Sequence, residues 1–219
     1  FLVDRQGRAS HELLQKTLQA LTCMEHRGGC GGDSQSGDGA GIATAIPWRL
    51  LQAEIEEIRA WDSGHSAVGM VFLPADPGKG QAVRQLIDDY LATTEWGQPL
   101  WRRVPVNPEC LGPMARQTLP SIWQMLLTHP RLEGDELERQ LYLLRRQVES
   151  RFGFYSIYFA SLSCRLIVYK GMVQSAVLGQ FYRDLHNPLY TTAYATYHRR
   201  FSTNTLPRWS LAQPFRYLC

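Results

Sequence analysis

The residues best equipped for chemistry lie close together near the end of the chain, in His198-Arg199-Arg200-Phe201-Ser202-Thr203-Asn204-Thr205. This short stretch offers guanidinium groups, an imidazole, hydroxyls and an amide. Arginine's planar fork can meet a carboxylate in two parallel hydrogen bonds, while hydroxyl or backbone donors fix the remaining atoms. The inventory suits a small zwitterion that carries a carboxylate. A solvated strand end followed by a polar turn would use the same residue types, and composition does not separate the two.

Such groups need a rigid mount. The run from Thr191 to Tyr197 reads as a strand, and a strand end presents side chains in fixed directions. A second chemically suggestive stretch is Arg27 to Gly41, which holds seven glycines. A dinucleotide loop would need a strand before it and a helix after it, so that the helix N-terminus faces the phosphates. Here a helix precedes the glycines and a strand follows, which is the wrong order. Cys23, His26 and Cys30 have tolerable metal-ligand spacing but no second pair nearby. The remaining reading is structural: glycines permit close backbone approach, giving a shaped turn beside a crowded site.

The other elements follow from periodicity. Ser10 is an expected N-cap, and Leu14, Leu18 and Leu21 mark a helix running to about His26. Residues 41–46 form an expected buried strand, Trp48 to Arg59 a helix, and Ser66 to Leu73 a second buried strand. Asp76-Pro77-Gly78-Lys79-Gly80 reads as a turn before a helix from Lys79 to Ala92. Trp101 to Val106 and Ser121 to Thr128 are expected strands, with a short helix over 112–117 between them. Glu133 to Arg151 is a long helix whose early acids and late arginines match its dipole. Phe154 to Leu162 and Arg165 to Lys170 read as paired strands around Ser163-Cys164, and Gln174 to Leu185 as mostly helical. Cys164 lies in an apolar setting, the setting of an inert thiol. Strands and helices are grouped and do not strictly alternate, which favours an α+β domain over a doubly wound parallel sheet.

Composition excludes several classes. With 219 residues, 44% hydrophobic and 20% charged, the chain can bury a sizeable core. A net charge of +3 without a dense basic run argues against a nucleic-acid partner. No stretch is long and apolar enough to cross a bilayer, and the first residues do not make a signal peptide. Five scattered cysteines read as reduced thiols inside a cell. Both ends look cut: the chain opens on Phe1-Leu2-Val3 and closes on an interrupted strand, Phe215 to Cys219.

His-x-Arg-Phe-Ser-Thr-Asn-Thr-x-Pro-x-Trp, then Leu-Ala-Gln-Pro-Phe-Arg, runs from His198 to Arg216 and resembles the glutaminase domain of glutamate synthases. Met24-Glu25-His26-Arg27-Gly28 and Asp38-Gly39-Ala40-Gly41-Ile42 are similar to a further pair of motifs there. Val68 to Pro74, Leu141 to Arg145, Ser161 to Ser163, Ile167 to Met172 and Phe181 to Leu185 also resemble segments of that family, in the same order. The His-Arg-Gly core is shared more widely among class II glutamine amidotransferases. Tyr197-His198-Arg199-Arg200 leans toward the ferredoxin-dependent branch.

The resemblance implies an αββα four-layer sandwich of the N-terminal nucleophile hydrolase type, here incomplete, with residues 1–219 forming part of one glutaminase domain. It implies hydrolysis of L-glutamine to glutamate and ammonia, the ammonia passing to 2-oxoglutarate. Arg200 would pair with the glutamine α-carboxylate, with Thr203 and Ser202 beside it. His26, Arg27, Gly28, His198 and Asn204 would be supporting residues. The family's nucleophile is an N-terminal cysteine whose own α-amino group can act as base, and an asparagine amide with a backbone N–H stabilises the oxyanion. That cysteine would lie just before Phe1 and that asparagine just after Cys219, so the 219 residues alone are expected to be inactive and to contain no catalytic residue. No cofactor or metal is expected in this stretch; FMN and an iron–sulfur cluster are implied for the full-length enzyme. The implied partners are the synthase domains of the same polypeptide and ferredoxin, or a pyridine-nucleotide-oxidising subunit. The implied location is cytoplasm or plastid stroma. Another class II amidotransferase, such as an amidophosphoribosyltransferase or asparagine synthetase, and a non-catalytic binding module of the same fold remain the alternatives.

Overall fold

A computed structural model describes residues 1–29, 33, 35–153, 157–200 and 206–216. The chain divides into two compact units. The first comprises residues 1–54, 105–119 and 168–219, the second residues 55–104 and 120–167.

The first unit carries β1 (Leu2–Val3), α1 (His11–Cys23), β2 (Ala40–Ala45), α2 (Trp48–Glu54) and α4 (Pro113–Gln117), then most of β7 (Leu166–Gly171), α6 (Ser175–Phe181) and β8 (Tyr194–Arg199). Its sheet has the order β1-β8-β2-β7, with β8 antiparallel to both β1 and β2. Helix α1 forms as its residues dictate. The Ser10 hydroxyl accepts from Leu13 N at 3.1 Å, and Leu14 and Leu21, two turns apart on one face, are fully buried. A cluster of buried tyrosines closes the core. The Tyr169 ring meets Tyr182 edge-on at 5.0 Å, and each hydroxyl has a partner: Asp184 for Tyr169, the Lys170 carbonyl for Tyr182 and Thr44 for Tyr190.

The second unit carries β3 (Ser66–Leu73), α3 (Pro77–Ala92), β4 (Leu100–Arg103), β5 (Ser121–Thr128), α5 (Gly134–Phe152) and β6 (Tyr158–Ser163). Its sheet order is β4-β5-β3-β6, and every neighbouring pair is antiparallel. Strand β3 is buried along its whole length, as a central strand with apolar residues on both faces should be. Leu137, Leu141, Leu144 and Val148 of α5 pack with Ile87, Leu91, Met125 and Phe159 in one hydrophobic cluster.

Helices and two antiparallel sheets give the α+β class that the grouping of elements leads one to expect. Several boundaries and one pairing differ from expectation; β8 starts at Tyr194 and runs on to Arg199, and α6 ends at Phe181. Helix α1 stops at Cys23, where Met24 tightens the backbone and a 3-10 turn, Glu25–Arg27, follows. Helix α2 ends at Glu54 and does not reach Arg59. Glu54, Glu56 and Glu57 crowd negative charge onto the negative end of its dipole, which opposes further extension. Helix α3 begins at Pro77, because Asp76 caps it by accepting from Lys79 N at 2.8 Å. Strand β4 ends before Pro105, which cannot donate to a ladder. Strands β6 and β7 are not partners: β6 pairs with β3 and β7 with β2, in different sheets. The Ser163 hydroxyl accepts from the N–H groups of Arg165 and Leu166, forming the turn that follows β6. Residues 154–156 and 217–219, expected to be extended, lie outside the described residues.

Candidate functional site

Strand β8 places Arg199 and Arg200 in opposite circumstances. Arg199 pairs with Ala40 of β2 and points inward, its side chain 1% exposed. Arg200 follows the strand and is exposed. Strand alternation turns Arg199 inward, opposite to His198, but it does not govern Arg200, which has left the strand with φ +118°.

Arg199 is fully engaged. Its Nε and Nη2 donate to Glu25 Oε1 at 3.2 and 2.7 Å, and Nη1 donates to Asp38 Oδ1. The carbonyl oxygens of Gly39 and Gly29 accept from Nη1 and Nη2 at 3.1 and 3.2 Å. A planar fork in a buried site is satisfied only by such a ring of acceptors. The acids are held in turn. Asp38 Oδ2 accepts from Gly29 N at 2.9 Å, and Glu25 Oε2 accepts from Ser175 N at the start of α6, also at 2.9 Å. Burial pushes the Glu25 carboxyl up, but the bonds from Arg199 and Ser175 outweigh it and hold the group below the usual carboxylate range.

The glycines around this network are there for space. A Cβ on Gly28 would sit 2.0 Å from Arg199 Cζ, and one on Gly37 would sit 2.3 Å from the Val173 carbonyl carbon. Gly28→Ala is therefore expected to destabilise the domain by about 1–3 kcal/mol through overpacking against a group that cannot yield without breaking its ion pairs. A denaturant midpoint reads this directly, and an unchanged midpoint would mean that the guanidinium does not lie on Gly28.

Asp33 ties the glycine-rich segment to α4. Its carboxylate accepts from Met114 N at 2.8 Å and from Ser36 N and Oγ at 2.6 and 2.7 Å. The Met114 and Ser36 N–H groups lower its carboxyl to about 2. A carboxylate depressed on folding stabilises the fold above its unfolded value of about 3.9, and that stabilisation fades as pH falls toward about 2. The melting temperatures of the native chain and Asp33→Asn should thus differ at pH 5 and converge near pH 2. A gap that is constant over this range would contradict the bonding.

Of the residues singled out in the sequence, Arg200, His198 and Gly28 come together around the Arg199 network. His198 Nδ1 donates to the Arg200 carbonyl at 3.1 Å, and Arg200 N donates to Gly39 O at 2.7 Å. His26 and Arg27 are exposed in the 3-10 turn beside Glu25, and His26 Nδ1 donates to Cys23 O at 3.2 Å. Ser202, Thr203 and Asn204 lie outside the described residues, as does Cys30. The sequence alone does not single out Arg199, Glu25 and Asp38 as a network. The available signal was two acids within glycine-rich motifs, upstream of a strand that ends in adjacent arginines.

Two half-buried thiols point away from nucleophilic use. Burial pushes up Cys110, and burial with the neighbouring Glu138 pushes Cys164 up to about 11. Among the described residues, no group of three or more His, Cys, Asp or Glu could hold a metal ion, and no helix is long and apolar enough to cross a membrane.

Comparison with known proteins adds a family. The family model described as glutamine amidotransferases class-II matches residues 1–219. Ferredoxin-dependent glutamate synthase 2 of Synechocystis sp. is 46% identical over 221 residues, covering 100% of this chain and 14% of that protein. Ferredoxin-dependent glutamate synthase of Pyropia yezoensis is 45% identical, covering 100% of the chain and 15% of that protein. The chloroplastic ferredoxin-dependent glutamate synthase of Spinacia oleracea is 43% identical, covering 100% and 14%. The chain thus spans about one seventh of the length of these relatives.

Proposed function

We propose, from the premise that this chain belongs to the class-II glutamine amidotransferases, that residues 1–219 are part of one glutaminase domain of a ferredoxin-dependent glutamate synthase. Its reaction is the hydrolysis of L-glutamine to glutamate and ammonia. In the whole enzyme the ammonia passes to synthase domains of the same polypeptide and aminates 2-oxoglutarate at the expense of two electrons from ferredoxin.

The observation that carries the reading is the division of labour at the end of β8. Arg199 is committed to Glu25 and Asp38, so Arg200, exposed at the strand tip, is the guanidinium left to meet the glutamine α-carboxylate. The reading assigns Ser202 and Thr203 to binding the same substrate and Asn204 to a supporting role. His198 fixes the Arg200 carbonyl, and Gly28 makes room for the neighbouring guanidinium. His26 and Arg27 border the site. These residues bind and orient the substrate and do not attack it.

FMN and an iron–sulfur cluster belong to the full-length enzyme in this reading. The described residues offer no cluster of cysteines that fits an iron–sulfur group, and no step here passes through either cofactor. The location that accords with the chloroplastic relatives is plastid stroma, or cytoplasm in a prokaryote.

The test is to incubate the full-length gene product with L-glutamine, first alone and then with 2-oxoglutarate and reduced ferredoxin. The expected result is one glutamate and one ammonia per glutamine in the first case, and two glutamates per glutamine in the second. Failure to release glutamate from glutamine under both conditions would contradict the proposal.

A further inference from the structure

We propose that Arg199 is a positioning residue: with Asp38, Gly39 and His198 it holds Arg200 in a left-handed backbone conformation and thereby sets the direction in which the Arg200 guanidinium meets its ligand. The proposal rests on the reading of Arg200 given above and adds the device that aims it.

Arg200 has φ +118°, the one positive value at a non-glycine among the described residues. L-residues rarely occupy that region, and they stay there only where the surroundings over-determine the backbone. Here both flanking peptide groups are pinned. The N–H of Arg200 donates to Gly39 O at 2.7 Å, and its carbonyl accepts from His198 Nδ1 at 3.1 Å. The same Gly39 carbonyl also accepts from Arg199 Nη1, at 3.1 Å. One oxygen therefore joins the side chain of residue 199 to the backbone of residue 200.

That oxygen is itself fixed. Asp38, the residue before it, accepts from Arg199 Nη1 and from Gly29 N. Glu25 takes the other edge of the Arg199 guanidinium and caps α6. The circuit from Arg199 through Asp38 and Gly39 to Arg200 N is closed and almost wholly buried, Asp38 being 5% exposed. Without the guanidinium, the Gly39 carbonyl loses one of its two donors and Asp38 its counter-charge. With Gly39 no longer anchored through Asp38 and Arg199, the bonds to Gly39 O and from His198 Nδ1 hold Arg200 less firmly, and it can relax to the extended conformation of β8, which swings its Cβ about the N–Cα bond and takes its side chain elsewhere. A lysine at 199 keeps the charge but delivers a single ammonium where four groups now converge on a planar fork.

The experiment is a mutant cycle in the full-length gene product, with glutaminase kinetics and amide hydrogen exchange of the peptide covering β8 as readouts. Arg199→Lys is expected to raise the glutamine KM about tenfold, the loss of one charge-assisted hydrogen bond, with kcat within about twofold. It should also accelerate exchange of the Arg200 amide. In an Arg200→Gly background the same substitution should leave KM where Arg200→Gly alone puts it, because there is no side chain left to aim. If Arg199→Lys does not fold, His198→Phe removes the other pin on the Arg200 peptide and is expected to show the same dependence on residue 200. A KM effect that persists undiminished in the Arg200→Gly background, or a folded Arg199→Lys protein with native KM, would overturn the proposal. Should the native protein hydrolyse no glutamine, the functional reading falls, but exchange still decides the positioning: unchanged protection of the Arg200 amide in Arg199→Lys overturns it.

Discussion

Arg200→Ala is expected to raise the glutamine KM of the full-length gene product by about 10–100-fold while leaving folding stability within about 0.5 kcal/mol of native. The size follows from losing charge-assisted hydrogen bonds to a carboxylate, worth about 1.5–3 kcal/mol, where about 1.4 kcal/mol is a factor of ten. The stability follows from exposure: the side chain lies at the surface, and alanine inherits the same backbone strain. Activity supplied with free ammonia should be spared, because ammonia does not need the glutamine pocket. Steady-state kinetics with each nitrogen donor check this. Equal loss with glutamine and with ammonia, in a folded protein, would remove Arg200 from the glutamine site.

Arg199→Ala, one position earlier, should do the reverse kind of damage. Removing one partner from a buried ion pair leaves an uncompensated charge and costs about 3–5 kcal/mol. Asp38, 5% exposed, would be left among the described residues with the Gly29 N–H, while Glu25, with a 40% exposed side chain, can turn toward water. A domain with a total stability of about 5–15 kcal/mol loses a large share of it. A denaturant midpoint shifted by far less would mean that the Arg199 network is decoration. Acid should reveal the same network. The folded state holds the Glu25 carboxyl below its usual range, so its contribution is full above about pH 4.3 and is lost as pH falls below that.

The contrast between these neighbours shows what the sequence could and could not disclose. The bounds of β3 and β5 were legible: β3 is an apolar run stopped by Pro74, and β5, whose pattern suits strand or helix, is limited to strand length by Pro120 and Pro130. Helices α1 and α5 were legible from leucine spacing, with errors only at their ends, where capping geometry decides. The partners of β6 and β7 were not legible. A serine and a cysteine between two apolar runs look like a hairpin turn, and only tertiary context sends the second strand to another sheet. At the site, the motif directs attention to the end of β8 and its adjacent arginines. It could not show that Arg199 is buried, since its two acids come from residues far upstream in the chain. Nor does any local pattern announce a positive φ at an arginine, whose peptide groups here bond to Gly39 and His198.

The most direct test of the account is a structure of the full-length gene product with glutamine or glutamate bound. The account predicts the α-carboxylate in a two-pronged pair with the Arg200 guanidinium, N–O distances of about 2.7–2.9 Å, and Arg199 still on Glu25 and Asp38. A carboxylate held elsewhere, with Arg200 left in solvent or Arg199 turned out to take its place, would contradict it.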